Sequence, residues 1–495
     1  MAASNSLFHD LRERMPLEMQ VNLRWLKYRF ADHPQWDDPE FLNYYHWLNK
    51  TQWWSKDDFE AYQLEKLKSL VKHAYENVPY YKRTFDKHKV KPDDIVTLGD
   101  LHKFPLLTKD DVRNNLEDLV ARNINRSRLC YRTTSGSTGI PLGVYQDQHT
   151  SYLHELALVY RQRGWAGWNF GDRYLVLRGN APPKAGTKNR SRWFSYGFRD
   201  NALFLSSYDM TEENMFKYDK KIKEFQPKFI HGDSTSLEIL ARFMKRNSIS
   251  NETVEAIFLG SQTIFPHQRK FIESIFKCPI FARYGMTEKA VDAVECERHQ
   301  GYHAGMEYGV IELLNRHNEP IEKSNVPGKV VGTGFDTFCM PLIRYVTDDV
   351  AEYAPGSCAC NRQSTLIDDF KGRLGELVFS KNGHIVPLSP VYASIHGSVV
   401  AKIRELKFVQ ERPGELIVRI AKAPIFSDAD VEKEFRDEVF TKLDEKEFTL
   451  KIEFVEFVPR TGRGKLGLLD QKLPIKAEYL DFFGQEAVGN SVVMK

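Results

Sequence analysis

The spacing of apolar residues changes character three times along the chain. From Asp57 to Glu76, Phe59, Tyr62, Leu64, Leu67, Leu70, Val71 and Ala74 recur near helical spacing, which predicts a long amphipathic helix. Pro79 ends it, because the residue before a proline resists the α region. Thr108-Lys-Asp-Asp111 reads as an N-cap opening another helix, so residues 1–125 are expected to be mainly helical. Short apolar runs then alternate with helical patterns: strands at Arg128–Thr133, Leu142–Gln146, Arg173–Leu177, Phe229–Gly232 and Ala256–Gly260, and helices at His149–Arg163, ending at Pro227, and at Leu237–Met244. This predicts an α/β core over 126–374. Strand-like runs dominate from about 305 (Tyr308–Leu314, Lys329–Thr333, Pro341–Tyr345). Past Gly375 a hairpin around Pro413-Gly414, a Ser427-capped helix to Leu443 and a strand at Phe448–Val458 predict a small α+β domain over 375–495.

Composition narrows the class. A chain of 495 residues exceeds one ordinary core, so two or more domains are expected. With 42% hydrophobic and 28% charged residues and a net charge of +3, it reads as globular, without a nucleic-acid footprint. No apolar run reaches membrane-spanning length and the opening residues lack a signal-peptide core, which predicts a cytoplasmic protein without membrane insertion. Whether it is a monomer or a homodimer stays open. Six cysteines in such a chain favour thiols or metal ligands over disulfides.

The candidate chemistry begins at Thr133–Gly139, where five of seven residues carry a hydroxyl and the others are Gly136 and Gly139. Backbone N–H groups freed by glycine, beside short hydroxyls, can wrap phosphate oxygens. No Gly-Lys-Ser/Thr follows, so this is not a Walker loop; alone, it could equally be a polar surface loop. Further stretches follow in order: Tyr284-Gly-Met-Thr-Glu288, Pro341-Leu-Ile-Arg-Tyr-Val-Thr-Asp-Asp349, Lys371-Gly-Arg373 and Pro459-Arg-Thr-Gly-Arg-Gly-Lys465.

Together with Asn77-Val-Pro-Tyr-Tyr81 and Phe104-Pro-Leu-Leu-Thr-Lys109, this series resembles the adenylate-forming (acyl/aryl-CoA synthetase) superfamily. It is most similar to the branch of phenylacetate–CoA ligases and CapK-type relatives. The resemblance implies a large multi-layer adenylation domain with a small mobile C-terminal lid. It also implies a two-step ligase that activates a small carboxylic acid with ATP, releasing pyrophosphate, and passes the acyl group to a nucleophile as AMP leaves. Aryl and arylacetic acids are the favoured substrates and coenzyme A the favoured acceptor. An amine or hydroxyl acceptor is the alternative, and a non-catalytic adenylate-binding homologue is the second. In the family's pattern, Thr134, Ser135, Gly136, Ser137, Thr138 and Gly139 hold the β- and γ-phosphates. Tyr284 and Gly285 open the motif in which Tyr284 stacks on adenine, Thr287 touches the α-phosphate and Glu288 holds Mg²⁺. Gly260, Ser261 and Gln262 line the adenine pocket, Asp349 takes the ribose hydroxyls and Arg373 reaches ribose or phosphate. Lys465 bridges the carboxylate and the α-phosphate.

Three departures are present. Leu142 follows Pro141 where the superfamily often has lysine, as the phenylacetate branch also lacks it. Gly375 occupies the hinge position usually held by Asp or Lys. Thr347-Asp-Asp349 replaces Thr-Gly-Asp, so Asp348 competes with Asp349 for ribose.

Finally, Cys296, His299, His303, Cys358 and Cys360 offer a Cys₃His set of the composition used by structural zinc, with His303 favoured over His299.

Overall fold

The computed structural model describes residues 15–28, 38–134, 142–147, 149–178, 193–207, 210–260, 264–373, 377–382, 385–388, 391–392, 395, 399, 402–423, 425–459 and 467–473. Helices open the chain: α1 (Leu17–Tyr28), α2 (Pro39–Thr51), α3 (Lys56–Asn77), α4 (Pro79–His88) and the short α5 (Lys109–Asn114). Strands β1 (Leu129–Thr133) and β2 (Gly143–Asp147) lead into α6 (Thr150–Trp165). Then come β3 (Tyr174–Leu177), β4 (Phe194–Gly197), β5 (Ala202–Leu205), α7 (Glu212–Phe225), β6 (Phe229–Gly232), α8 (Ser234–Arg246), β7 (Ala256–Gly260) and α9 (Pro266–Phe276). A run of strands follows: β8 (Ile280–Gly285), β9 (Asp292–Glu295), β10 (Tyr302–Ala304), β11 (Gly309–Leu314), β12 (Gly328–Gly334), β13 (Tyr345–Tyr353) and β14 (Leu366–Arg373). The chain closes with β15 (Leu377–Phe379), β16 (Ile385–Pro387), β17 (Ile403–Arg412), β18 (Glu415–Lys422), α10 (Asp428–Val439), β19 (Thr449–Phe454) and β20 (Leu469–Gln471). No described helix is long and apolar enough to cross a membrane.

Local chemistry sets these boundaries. Ser55 and Asp58 form a capping box at the start of α3, satisfying N–H groups that a helix start otherwise leaves orphaned. Pro79 holds Val78 extended and then serves as the first residue of α4, where its missing N–H costs nothing. Thr108 caps α5 as its sequence predicts.

Contacts divide the chain into two compact units. The first comprises Met1–Asn43 and Arg163–Ala282. Its strands run in the order β7-β6-β3-β5-β4, parallel except for the antiparallel edge strand β4. Strands of a parallel sheet covered on both faces read as continuous apolar runs, and Leu175, Leu203, Phe229, Ile230 and Ile257 are fully buried.

The second unit comprises Tyr44–Gln162 and Arg283–Lys495. Its larger sheet orders β11-β12-β13-β14-β10-β9, with the end of β8 beside β9, and is antiparallel throughout. One apolar core joins α3 and α4 to this sheet through Leu67, Leu70, Phe85, Phe104, Tyr345 and Phe370. Residues 378–469 build a second core around the sheet β19-β18-β17-β20, with Phe435 and Val439 of α10 packed against it.

One expected strand is absent. Pro341–Tyr345 is an apolar, strand-like run in sequence, yet strand pairing starts only at Tyr345. The buried Tyr81 hydroxyl accepts from the Ile343 N–H and donates to the Pro341 carbonyl, taking the groups a ladder would need. Arg344 sits at φ 51°, a left-handed conformation that a non-glycine residue adopts only where its surroundings hold it. Here the holders are the carbonyls of His102 and Phe104 and the Glu312 carboxylate, all bound by its guanidinium.

Candidate active site

The expected phosphate loop connects the two strands of a hairpin. β1 and β2 pair antiparallel from Leu129↔Asp147 to Thr133↔Gly143. At its mouth the Thr134 N–H donates to the Leu142 carbonyl, and the Leu142 N–H donates to the Thr134 hydroxyl. Ser135, Gly136, Ser137, Thr138 and Gly139 lie outside the described residues, so only Thr134 and the loop's closure are on view. The hairpin is tied to two other motifs. The Gln146 amide donates to the Thr287 carbonyl, and the Tyr145 N–H lies 3.3 Å from the Met340 sulfur, one residue before Pro341.

Tyr284 and Gly285 close β8, and Thr287 and Glu288 follow in the connection to β9. The Tyr284 ring stacks on Phe370 of β14, centroids 3.7 Å apart and planes at 8°. Its hydroxyl donates to Asp349 Oδ2 at 2.7 Å. Asp349 stands opposite Arg373 in the β13–β14 register, so the two expected ribose contacts occupy neighbouring backbone positions. The Arg373 side chain lies outside the described residues. Asp348, on the other face of β13, forms an ion pair with Lys109. Of the two adjacent acids, Asp349 is therefore the one turned to Tyr284.

Glu288 is 8% exposed and accepts a 3.0 Å hydrogen bond from the Tyr345 hydroxyl. Burial, followed by the Glu288 charge, pushes the Tyr345 phenol far above its ordinary value, so it remains a protonated donor. Among the described residues the second Glu288 oxygen has no hydrogen-bond partner, which fits a carboxylate able to take a hard cation. Lys289, at φ 58°, turns back to donate to the Ser151 carbonyl and approaches Glu155 on α6 at 3.3 Å. Glu155 and Asp292 both pair with Arg283, so charged side chains brace both ends of the motif. Gly334 explains why β12 can lie so close: a Cβ there would meet the Lys289 carbonyl oxygen at 2.2 Å.

Gly260 ends β7 in the first unit, while Ser261, Gln262 and Lys465 lie outside the described residues. Tyr345, Phe370, Lys109, Gln146 and Glu155 were not singled out from sequence. Tyr345 and Phe370 sit inside or beside motifs that were, and that adjacency is the signal that could have found them.

The cysteine set also converges. Cys296, His303, Cys358 and Cys360 place one ligand atom each within 4.8 Å of the others, and all four are buried. Cys296 Sγ lies 3.6 Å from Cys358 Sγ, and Cys360 Sγ 3.3 Å from His303 Nε2. His299 instead turns to Glu295 at 3.7 Å. Trp53 is 56% exposed with the Arg362 guanidinium over its ring, whereas Trp47 and Trp54 pack together.

Comparison with known proteins agrees with this geometry. The chain superposes on the crystal structure of 2-hydroxyisobutyryl-CoA ligase in the postadenylation state with a TM-score of 0.65 and 16% identity, over 88% of this chain and 94% of that one. The chain therefore shares the fold of that acyl-CoA ligase, a mixed α/β architecture with a smaller C-terminal sheet. Residues 378–472 match the family model for the CapK C-terminal domain. Protein CapK of Staphylococcus aureus is 26% identical over 432 residues, covering 83% of this chain and 88% of its own. Phenylacetate-coenzyme A ligase of Escherichia coli K12 is 28% identical over 342 residues, covering 67% and 75%. In sequence the chain is thus similar to CapK and to phenylacetate–CoA ligases, most specifically over the C-terminal residues 378–472.

Proposed function

We propose that this protein is an AMP-forming acid–CoA ligase, which activates a carboxylic acid as its acyl-adenylate at the expense of ATP and transfers the acyl group to coenzyme A. The observation that carries the reading is the joint arrangement of Tyr284, Asp349 and Glu288. The Tyr284 ring and the Asp349 and Glu288 carboxylates are held in one unit by direct hydrogen bonds and strand register. Asp349, already oriented by the Tyr284 hydroxyl, would take the ribose hydroxyls. Glu288, oriented by Tyr345, would hold Mg²⁺, whose charge offsets that of the phosphates. Thr287 would contact the α-phosphate, its backbone fixed by Gln146 on the hairpin that carries the loop from Thr134 to Gly139. Lys465 would sit between the attacking carboxylate and the α-phosphate, two anions whose approach a cation stabilises in the transition state. Residues 375–495 would form the lid that carries it. Aryl and arylacetic acids are the favoured substrates.

Incubation with ATP, CoA and a panel of aryl, arylacetic, fatty and sugar acids tests the reading. The expected products are AMP, pyrophosphate and one class of acyl thioester. ADP and phosphate as products would overturn it. AMP release that needs an amine or alcohol in place of CoA would keep the adenylation step and reassign the acceptor.

A further inference from the structure

We propose that Cys296, His303, Cys358 and Cys360 bind one structural Zn²⁺ that pins the β9–β10 turn to the β13–β14 connection. A tetrahedral zinc with bonds of about 2.3 Å to sulfur and about 2.0 Å to nitrogen has ligand–ligand edges of roughly 3.5–3.8 Å. The 3.6 Å Cys296–Cys358 separation falls on such an edge, and the 3.3 Å Cys360–His303 separation lies just inside it. The Cys296–Cys358 separation is not that of a disulfide, whose sulfurs lie about 2.0 Å apart, and all six cysteines are free thiols.

The surroundings are those of a metal centre as well. Nε2 of His303 faces the thiols, while Nδ1 meets the Ser364 hydroxyl at 2.9 Å, the partner that orients a ligating imidazole. The Arg298 N–H points at Cys296 Sγ at 3.4 Å, where it would offset thiolate charge. Both cysteine segments are closed by turns: the His299 N–H donates to the Cys296 carbonyl and the Asn361 N–H to the Cys358 carbonyl. The Ala359 N–H donates to the Gln300 side chain, joining the two segments without the metal. Gly301, at φ 105°, lets the first turn approach β14, since a Cβ there would meet the Ile367 carbonyl oxygen at 2.5 Å. Three thiolates and a neutral imidazole around a divalent ion leave one net negative charge. Arg362, 6% exposed and paired with Glu297, is the cation in the same segment. Four protein ligands leave no open position, so the role is structural.

The site also bears on its neighbours. Tyr302, next to His303, packs edge-on against Phe370 at 5.2 Å, and Phe370 is the ring on which Tyr284 stacks. A metal that fixes His303 thereby fixes the outer ring of that stack.

The test is elemental analysis of the full-length, untagged protein purified without added metal, beside a Cys358→Ser/Cys360→Ser variant. The expected result is about one zinc per chain in the native protein and less than about a tenth of that in the variant. A native protein without metal, with iron instead, or a folded variant that keeps its zinc would overturn the assignment. Should the variant fail to fold, cobalt exchange into the native protein decides. Intense thiolate-to-cobalt absorption with a tetrahedral ligand-field pattern is expected, and its absence would overturn the proposal.

Discussion

Two buried polar groups lie at opposite ends of the β13–β14 hairpin, and they are finished differently. At the end where Asp349 meets Arg373, the side chains already serve one another: Tyr284 donates to Asp349, and Tyr345 to Glu288. Such bonds can be kept or exchanged as a ligand enters and leaves, which suits turnover. At the connecting end, three thiols and an imidazole face each other with donors too weak to satisfy a buried site. In the first group both tyrosine hydroxyls already have their acceptors and one Glu288 oxygen is left over, whereas in the second every ligand atom waits on a cation. Residue types alone do not reveal that difference, and contact geometry does.

The largest expected break comes from the residue assigned to the reacting atoms. Lys465→Ala should lower the adenylation rate by about 10²–10³-fold, as for removal of an oxyanion donor, and leave ATP affinity nearly unchanged. Presteady-state formation of the adenylate, measured beside ATP binding by calorimetry, separates the two. Next is Asp349→Ala, which removes charge-assisted bonds worth about 1.5–3 kcal/mol and should weaken ATP binding by about 10–100-fold. Asp348→Ala should cost far less, since Asp348 is engaged by Lys109 in a part-buried ion pair away from Tyr284; equal losses in the two variants would break the assignment of ribose to Asp349. A smaller effect is expected for Tyr345→Phe. Glu288 loses one orienting bond of about 0.5–1.5 kcal/mol, and the Mg²⁺ concentration for half-maximal rate should rise by roughly 2–10-fold.

The smallest concerns Glu155. Burial alone would raise its carboxyl, but Arg283 and Lys289 outweigh burial and hold it below its ordinary value of 4.5. A folded-state value lower than the unfolded one contributes stability that is present above about pH 4.5 and lost as pH falls through the folded value. Glu155→Gln should therefore melt earlier at neutral pH and show a shallower loss of stability on acidification, as thermal melts across the acid range would report.

Much of this was legible before any coordinates. Thr134–Gly139, Tyr284–Glu288 and Pro341–Asp349 are contiguous, so each can be picked out as a motif, and the helix α3 follows directly from its apolar period and its proline stop. What stayed hidden is long-range. Nothing local links Tyr345 to Glu288, Lys109 to Asp348, or Tyr284 to Phe370, because each pair is brought together only by the tertiary fold. Pro341–Arg344 shows the converse: its apolar run is that of a buried strand, and a single hydroxyl from Tyr81 takes the backbone groups a ladder would use. The cysteine and histidine set falls between these cases. Its members, with His303 favoured over His299, were visible as residue types, but their convergence within 4.8 Å and the turn of His299 toward Glu295 are matters of geometry.

The most direct test of the adenylation claim is carboxylate-dependent ATP–pyrophosphate exchange across the acid panel, without any acceptor present. Exchange that appears with one class of acid and vanishes without it is the predicted result. Tight ATP binding with no exchange for any acid on the panel would contradict it.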